Sequence, residues 1–220
     1  MKKQSRERAI ALVSGGLDSF CLVRTLLQKG VAVTPVYVCS GLVWEAAELH
    51  ALRRWLESLK HPRLGFLKVL PVSLGAVYGN HWSVTGKGVP SNKSADRAVY
   101  LPGRNVFLLS VAAIHGAGQD ISTVAFGSLA SNPFGDATPA FLTKFADCLS
   151  QAVSHPVQIQ TPLRRWTKAQ LVAAAQREPL HLTFSCLHPN GERHCGRCNK
   201  CAERKQAFRA ARIPDSTSYA

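Results

Sequence analysis

The hydrophobic positions along the chain follow two alternating periods, and this alternation predicts a sheet covered by helices. Short apolar and β-branched runs end at glycine or polar residues, whereas the longer segments between them place apolar residues at helical spacing. The runs predict strands at residues 8–13, 31–38, 65–72, 121–127 and 157–160, and the longer segments predict helices at 17–30, 42–59, 106–118, 139–153 and 167–178. Strands that alternate with helices are typical of an α/β domain with a parallel sheet.

Two long polar stretches interrupt this alternation. Residues 75–98 and 128–139 are rich in turn-forming residues and predict loops. Loops of this length in a compact domain commonly carry function, so we expect both to lie near a site. Trp82 in the first loop is a candidate to close over a ligand, although an exposed loop residue without a role is the commoner case. Trp44, beside a predicted helix, is expected to pack in the interior.

The composition is that of a globular domain, with 46% hydrophobic and 18% charged residues. No apolar run is long enough to cross a membrane, and the basic segment at residues 1–16 has too short an apolar stretch for a signal peptide. We therefore expect a cytoplasmic protein with no membrane partner. The net charge of +14 favours an acidic partner, which can be a nucleic acid or a nucleotide triphosphate.

Residues 14–19, Ser-Gly-Gly-Leu-Asp-Ser, join the first predicted strand to the first predicted helix. The two glycines allow a tight turn with accessible N–H groups, and the helix N-terminus adds partial positive charge, so the segment suits a phosphate group. The hydroxyls of Ser14 and Ser19 can bind the same group, and Asp18 suits a Mg²⁺ carried by phosphates. A plain strand–helix turn with a serine N-cap is the alternative. The pattern is not a Walker motif, because Gly-Lys-Ser/Thr is missing.

Four of the seven cysteines cluster near the C-terminus. They are Cys186, Cys195, Cys198 and Cys201, in the spacing C-x8-C-x2-C-x2-C. Two overlapping C-x2-C steps with one further thiol can surround a tetrahedral Zn²⁺, and a closed set of four thiolates predicts a structural ion. An iron–sulfur cluster is the competing interpretation. A redox C-x-x-C pair would leave two of the thiols without a role.

The two end motifs together resemble a known family. The segment Ser-Gly-Gly-Leu-Asp-Ser is similar to the signature loop of the N-type ATP pyrophosphatases, which split ATP to AMP and pyrophosphate to activate a substrate oxygen. With the four cysteines it resembles the 7-cyano-7-deazaguanine synthases, the QueC family of queuosine and archaeosine biosynthesis. Intermediate segments support the resemblance in order: LPGRN (101–105), PFGDATPAF (133–141) and TPLRRWTKAQLV (161–172).

The resemblance implies a Rossmann-like fold of the adenine nucleotide alpha hydrolase type, a structural zinc and, in many members, a homodimer. It implies an ATP-dependent ligase that converts 7-carboxy-7-deazaguanine with ammonia, through the amide, to the nitrile. The residues that would hold the pyrophosphate of ATP and its Mg²⁺ are Ser14, Gly15, Gly16, Leu17, Asp18 and Ser19. Asp18 and Arg104 are the catalytic candidates. Arg104 would clamp a phosphate or the substrate, or else merely lie near the start of the following helix.

The chain departs from the family pattern in two loops. After the second strand, the family's Gln-Arg-His is missing, and Glu45 alone corresponds to its glutamate. The segment at residues 131–141 keeps Asp136, Pro139 and Phe141 but lacks the usual arginine and glutamate. We interpret Glu45 and Asp136 as substrate-binding residues, with a turn-forming aspartate as the alternative for Asp136. Both loops follow strands, where ligands bind in open α/β sheets. The departures therefore bear on the identity of the substrate that ATP activates more than on the type of reaction.

The sequence thus predicts an ATP-binding α/β domain at residues 1–180 and a zinc-binding segment at 181–220 packed on it. The leading hypothesis is a ligase that uses ATP, ammonia and a small carboxylate. One alternative is a related enzyme that adenylates another acceptor, in amidation or tRNA thiolation. The tRNA acceptor is disfavoured because no RNA-binding appendage is evident. Another alternative is a basic, zinc-containing nucleic-acid binder without catalytic activity, although the basic residues near the cysteines partly compensate the negative charge of a four-thiolate zinc site.

Overall fold

The computed structural model describes residues 7–220, so the first six residues of the basic N-terminal segment lie outside it. Its strands are β1 (Arg8–Leu12), β2 (Ala32–Cys39), β3 (Lys68–Pro71), β4 (Thr123–Phe126) and β5 (Gln158–Gln160). They form a five-stranded sheet in the order β3-β2-β1-β4-β5, and every neighbouring pair is parallel. The predicted Rossmann-like α/β sheet is confirmed.

Helices cover both faces of this sheet. They are α1 (Leu17–Gln28), α2 (Glu45–Leu59), α3 (Gly75–Tyr78), α4 (Trp82–Thr85), α5 (Arg104–Ala117), α6 (Pro139–Ala152), α7 (Lys168–Ala174) and α8 (Asn199–Ala211). Short 3-10 turns lie at Asp96–Val99, Gly135–Ala137 and Leu180–Leu182. None of the helices within residues 7–220 is long and apolar enough to cross a membrane.

The central strand β1 is buried on both sides, because its alternate residues face opposite helix layers. Ala9 and Ala11 join the core formed with α1, α2 and α7, whereas Ile10 joins the core formed with α5 and α6. Phe208 of α8 also belongs to the first core. The segment that carries the cysteines is therefore packed directly against the sheet domain.

The structure differs from the predicted elements in several places. Helix α2 begins at Glu45 rather than at residue 42, and residues 75–98 contain α3, α4 and a 3-10 turn instead of loop alone. Helices of a single turn are too short to show a hydrophobic period. Helix α8 was not predicted, because its apolar residues are mostly alanines interspersed with charged residues and do not form a clear hydrophobic stripe. The predicted N-cap of α7 is confirmed, since the Thr167 hydroxyl accepts the N–H of Gln170.

The strand order places a crevice at one edge of the sheet. Strand β1 leads to its neighbour β2, whereas β4 pairs on the opposite side of β1, so the order reverses between β1 and β4. In open α/β sheets the carboxyl ends of the strands at such a reversal diverge and form the ligand site. The segment at residues 13–16 and the second polar stretch both follow strands at this edge.

Candidate active site

The loop between β1 and α1 is folded by its own serines. The Ser14 N–H donates to the Ser19 hydroxyl at 2.9 Å, and the Gly16 N–H donates to the Ser14 hydroxyl at 3.1 Å. The two hydroxyl oxygens lie 3.2 Å apart. Leu17 turns its side chain into the core and is 2% exposed, so only its backbone can serve a ligand.

Gly15 is required by the close approach of two other segments to this loop. A Cβ at this position would lie 2.6 Å from the backbone oxygen of Glu48 in α2, closer than any real contact. On its other side the Gly15 carbonyl accepts the N–H of Phe184 at 2.7 Å. The loop is thus held between α2 and the C-terminal segment.

A cavity of about 190 Å³ opens above the loop, and we call it the loop cavity. The loop contributes Ser14, Asp18 and Ser19, and α5 contributes Arg104 and Asn105. The ends of β2 and β4 complete its wall, as the reversal of strand order predicts. Residues predicted to bind ATP and the predicted Arg104 are therefore brought together in one cavity.

Lys168, the first residue of α7, was missed by the sequence reasoning and lies beside Asp18. Its Nζ is 3.4 Å from Asp18 Oδ2 and 2.7 Å from Glu203 Oε1. Burial lowers the pKa of Lys168, but the carboxylates of Asp18 and Glu203 outweigh this effect and hold it above its usual value. A lysine in the first turn opposes the helix dipole, and this was the signal available in the sequence.

Asp18 keeps one carboxylate oxygen without a partner. Its Oδ1 is buried and accepts no hydrogen bond from the described residues. Burial raises the pKa of Asp18, and the ammonium of Lys168 partly offsets the rise. A buried oxygen of this kind fits a divalent cation, because Mg²⁺ prefers carboxylate ligands and usually shares them with phosphates.

A second cavity of about 150 Å³ lies next to the loop cavity, and four of its lining residues are aromatic. Trp44 and Trp82 stack with ring centroids 5.7 Å apart, and Tyr100 and Phe134 stack at 4.7 Å. All four line the space, which we call the aromatic cavity. Trp82 thus lies where the sequence suggested, whereas Trp44 combines its expected burial with a cavity wall. Flat aromatic walls favour a planar ring system.

The polar groups of the aromatic cavity include two atoms without partners. Asp136 Oδ1 accepts a hydrogen bond from Asn105 Nδ2 at 3.0 Å, while Asp136 Oδ2 and Arg104 Nε are buried and unpaired among residues 7–220. Arg104 also acts on Glu48 of α2, since burial raises the pKa of Glu48 and the positive charge of Arg104 partly offsets that rise. Buried polar atoms normally have partners, so these two point to a ligand. Arg104 and Asn105 line both cavities and connect them.

Glu45, predicted to bind substrate, is placed elsewhere. Its Oε1 accepts the N–H of Ser40 at 2.6 Å, and its Oε2 accepts the N–H of Gly41 at 2.8 Å. It lines neither the loop cavity nor the aromatic cavity. Glu45 therefore holds the turn after β2, and the structure does not bring it together with the other predicted site residues.

The four clustered cysteines form a compact metal-binding group. Cys186, Cys195, Cys198 and Cys201 place their sulfur atoms within 4.8 Å of one another. The hydrogen bonds among these thiols lower the pKa of Cys198 and raise the pKa of Cys186 and Cys201, so Cys198 is the thiol that deprotonates most readily. The four-sulfur donor set fits a structural Zn²⁺.

This group fixes the start of α8 beside the loop between β1 and α1. Cys198 is the N-cap of the helix, and Lys200 and Glu203 lie in its first turns. Glu203 joins Lys168 and Lys200, at 2.7 and 2.6 Å respectively. With Asp18 these side chains line a third space of about 110 Å³, which we call the lysine cavity.

Comparisons with known proteins agree over nearly the whole chain. The family model described as "Queuosine biosynthesis protein QueC" matches residues 8–212. The 7-cyano-7-deazaguanine synthase of Anaeromyxobacter sp. (strain Fw109-5) is 31% identical over 236 residues, which cover 100% of this chain and 99% of the relative. That of Methanothrix thermoacetophila is 31% identical over 221 residues, with coverages of 96% and 98%.

Solved structures show the same fold at lower identity. A 4-thiouridine synthetase crystallised with RNA and bound ATP superposes with a TM-score of 0.52 and 18% identity, covering 94% of this chain and 50% of that chain. At this identity the likeness concerns the fold alone. It supports the predicted fold of the adenine nucleotide alpha hydrolase type.

Proposed function

The chain belongs to the QueC family of queuosine biosynthesis proteins, and on that basis we propose that it is a 7-cyano-7-deazaguanine synthase. It would convert 7-carboxy-7-deazaguanine to the nitrile with ATP and ammonia. The observation that carries the proposal is the junction of two cavities at Arg104 and Asn105. One cavity suits a phosphate chain and the other a planar heterocycle, so their junction is where a carboxylate would meet the α-phosphate of ATP.

ATP would occupy the loop cavity with its phosphates against the N-terminus of α1. The hydroxyls of Ser14 and Ser19 and the helix N-terminus can hold the phosphate oxygens. Lys168 supplies positive charge at the base of the loop, and Arg104 supplies it from the opposite wall. Asp18 would hold Mg²⁺ through its unpaired oxygen, and that ion neutralises phosphate charge when bound.

The acceptor would occupy the aromatic cavity between the stacked ring pairs. A guanine-like edge presents two N–H donors, and the unpaired Oδ2 of Asp136 is a matching buried acceptor. Asn105 holds the other oxygen of Asp136 and so fixes the plane of the carboxylate.

The chemistry requires the same step twice. A carboxylate oxygen attacks the α-phosphorus of ATP, the bond to the pyrophosphate oxygen breaks, and pyrophosphate leaves. Ammonia then attacks the acyl carbon and AMP departs with the oxygen, which gives the amide. A second ATP activates the amide oxygen, and its loss as AMP leaves the nitrile. The protein orients the reactants and neutralises the charge of the phosphates. The cationic side chains around the junction suit the second of these roles.

The four-cysteine group would hold a structural zinc ion within the segment 181–220. This segment would pack on an ATP-binding sheet domain that ends near residue 180. Four thiolates would leave the ion no open position, so its contribution is to fix the polypeptide. We further propose a cytoplasmic location, and the family resemblance implies, in many members, a homodimer. Sedimentation velocity of the purified chain tests the homodimer directly.

The function is tested by incubating the protein with ATP, Mg²⁺, ammonium and 7-carboxy-7-deazaguanine. We expect the nitrile and two AMP per nitrile, measured by mass spectrometry and chromatography. AMP formation without nitrile would contradict the proposal and favour another acceptor, such as a different carboxylate or tRNA. Salt-dependent RNA binding without ATP consumption would favour the non-enzymatic binder.

A further inference from the structure

Lys200 lies where the acceptor would meet the nucleotide. It lines the aromatic cavity together with Asp136 and Arg104, and it lines the lysine cavity together with Asp18 and Lys168. Its side chain is 32% exposed, so the ammonium remains accessible to a ligand. No part of the function described so far uses this residue.

The position of Lys200 is fixed by the metal group. It stands between Cys198 and Cys201, two of the four clustered thiols. Its Nζ is 2.6 Å from Glu203 Oε2, while the other oxygen of Glu203 is 2.7 Å from Lys168. An ammonium carries three N–H donors, so the bond to Glu203 leaves two for a ligand.

Lys200 and Arg104 are the two cationic side chains that line the aromatic cavity, and they differ in what else they adjoin. Arg104 also lines the loop cavity beside Ser14 and Ser19, where the phosphates would lie. Lys200 does not line the loop cavity but lines the aromatic cavity and the lysine cavity. The arrangement assigns phosphate to Arg104 and leaves Lys200 for an anion carried by the acceptor.

We propose that Lys200 binds the carboxylate of the acceptor, which makes the cysteine-bound segment part of the substrate site. This inference rests on the proposed function. A carboxylate that approaches a triphosphate is repelled by it, and an ammonium at the junction offsets that repulsion. Lys200 would therefore act in the first activation, where the acceptor is an anion, and contribute little to the second, where the acceptor is a neutral amide.

The difference between the two activations gives a sharp test. In Lys200→Gln the KM for 7-carboxy-7-deazaguanine should rise about 10- to 100-fold, the usual effect of losing a hydrogen bond to a charged group. The KM for the corresponding amide should change by less than about threefold. Lys200→Arg should restore most of the affinity for the carboxylate, because it keeps the positive charge.

Arg197→Gln is the matched control, because Arg197 lies in the same cysteine segment, is exposed and lines none of the three cavities. Zinc content and melting temperature should be equal in Lys200→Gln and Arg197→Gln. Equal KM values in these two variants would overturn the proposal. An equal loss with the carboxylate and the amide would also overturn it, because that result indicates a general structural effect.

Binding without turnover separates this inference from the proposed function. Trp44 and Trp82 line the aromatic cavity, so a bound acceptor should quench tryptophan fluorescence. If the wild-type protein binds the carboxylate but forms no nitrile, the proposed reaction fails, while weaker binding by Lys200→Gln still supports the role of Lys200. If the wild-type protein does not bind the carboxylate, both proposals fail.

Discussion

The ammonium of Lys168 lies 3.4 Å from the carboxylate of Asp18 and joins the start of α7 to the start of α1. The contact uses only Oδ2 of Asp18, and Oδ1 stays buried without a partner among the described residues. One oxygen is thus held by the protein while the other is available to a cation. Substitution of Asp18 and substitution of Lys168 should therefore have different effects.

Asp18→Asn should lower kcat/KM for ATP by about 100-fold or more, because it removes the negative charge that would hold Mg²⁺. The variant keeps the size of the side chain, so its fold should be retained. AMP release measured over a range of Mg²⁺ concentrations checks the effect, with the exposed Asp147→Asn as the control. Full activity in Asp18→Asn would remove Asp18 from the metal site.

Lys168→Gln should reduce both activity and stability. It leaves the carboxylates of Asp18 and Glu203 without their shared cation, and the free energy of unfolding should fall by about 2 kcal/mol. This is less than for a fully buried pair, because the Lys168 and Asp18 side chains are 17% and 28% exposed. Urea denaturation measures the change. An equal effect of Lys144→Gln, at an exposed position, would show that the contact has no special role.

The same pair shows what the sequence could and could not predict. The hydrophobic pattern located α7 and its N-cap Thr167, which are local features. The contact of Lys168 with Asp18 joins residues that are distant along the chain and depends on the packing of α7 against α1. Helix α8 was missed for a similar reason, because Phe208 and Ala207 pack it against the core although its sequence shows no clear hydrophobic stripe.

The two residues predicted to bind the substrate also differ in how far the sequence could predict their role. The family resemblance pointed to Asp136 and Glu45, and both are buried. Asp136 keeps an oxygen without a partner and lines the aromatic cavity, whereas Glu45 bonds to two backbone N–H groups nearby. A sequence reports that a carboxylate is present at a loop, but only its hydrogen bonds show whether it is available to a ligand.

Asp136→Asn should raise the KM for the acceptor by about 10-fold and leave the KM for ATP nearly unchanged. The replacement converts one carboxylate oxygen into an amide donor, which opposes the N–H donors of a guanine-like ring. Steady-state kinetics with each substrate varied in turn check this split. The exposed Asp120→Asn should match the wild-type enzyme. A rise in the KM for ATP alone would place the nucleotide, rather than the acceptor, beside Asp136.

Removal of metal from the four-cysteine group should unfold the C-terminal segment and abolish activity. Because binding energy at a structural zinc site is folding energy, we expect a strong chelator to lower the melting temperature by about 10 °C or more. Elemental analysis should find one zinc per chain, and Cys198→Ser should lose it, whereas the exposed Cys148→Ser should keep it. Iron with visible absorption would instead identify an iron–sulfur cluster.

Gly15→Ala should disturb the loop between β1 and α1 more than the addition of one methyl group suggests. The added methyl would lie 2.6 Å from a backbone oxygen of α2, and neither the helix nor the loop can move without disturbing the other. We expect a loss of about 1–3 kcal/mol in the free energy of unfolding. We also expect weaker ATP binding, since Ser14 and Asp18 would shift.

Gly118→Ala is the matched control for this substitution. A Cβ at Gly118 would make only ordinary contacts, the nearest at 3.6 Å, and its backbone has a φ of −65° that alanine adopts readily. It should leave ATP binding unchanged, as measured by calorimetry, and alter stability little. If Gly15→Ala bound ATP as tightly as Gly118→Ala, the loop would tolerate displacement, and its contact with α2 would not position the phosphate-binding groups.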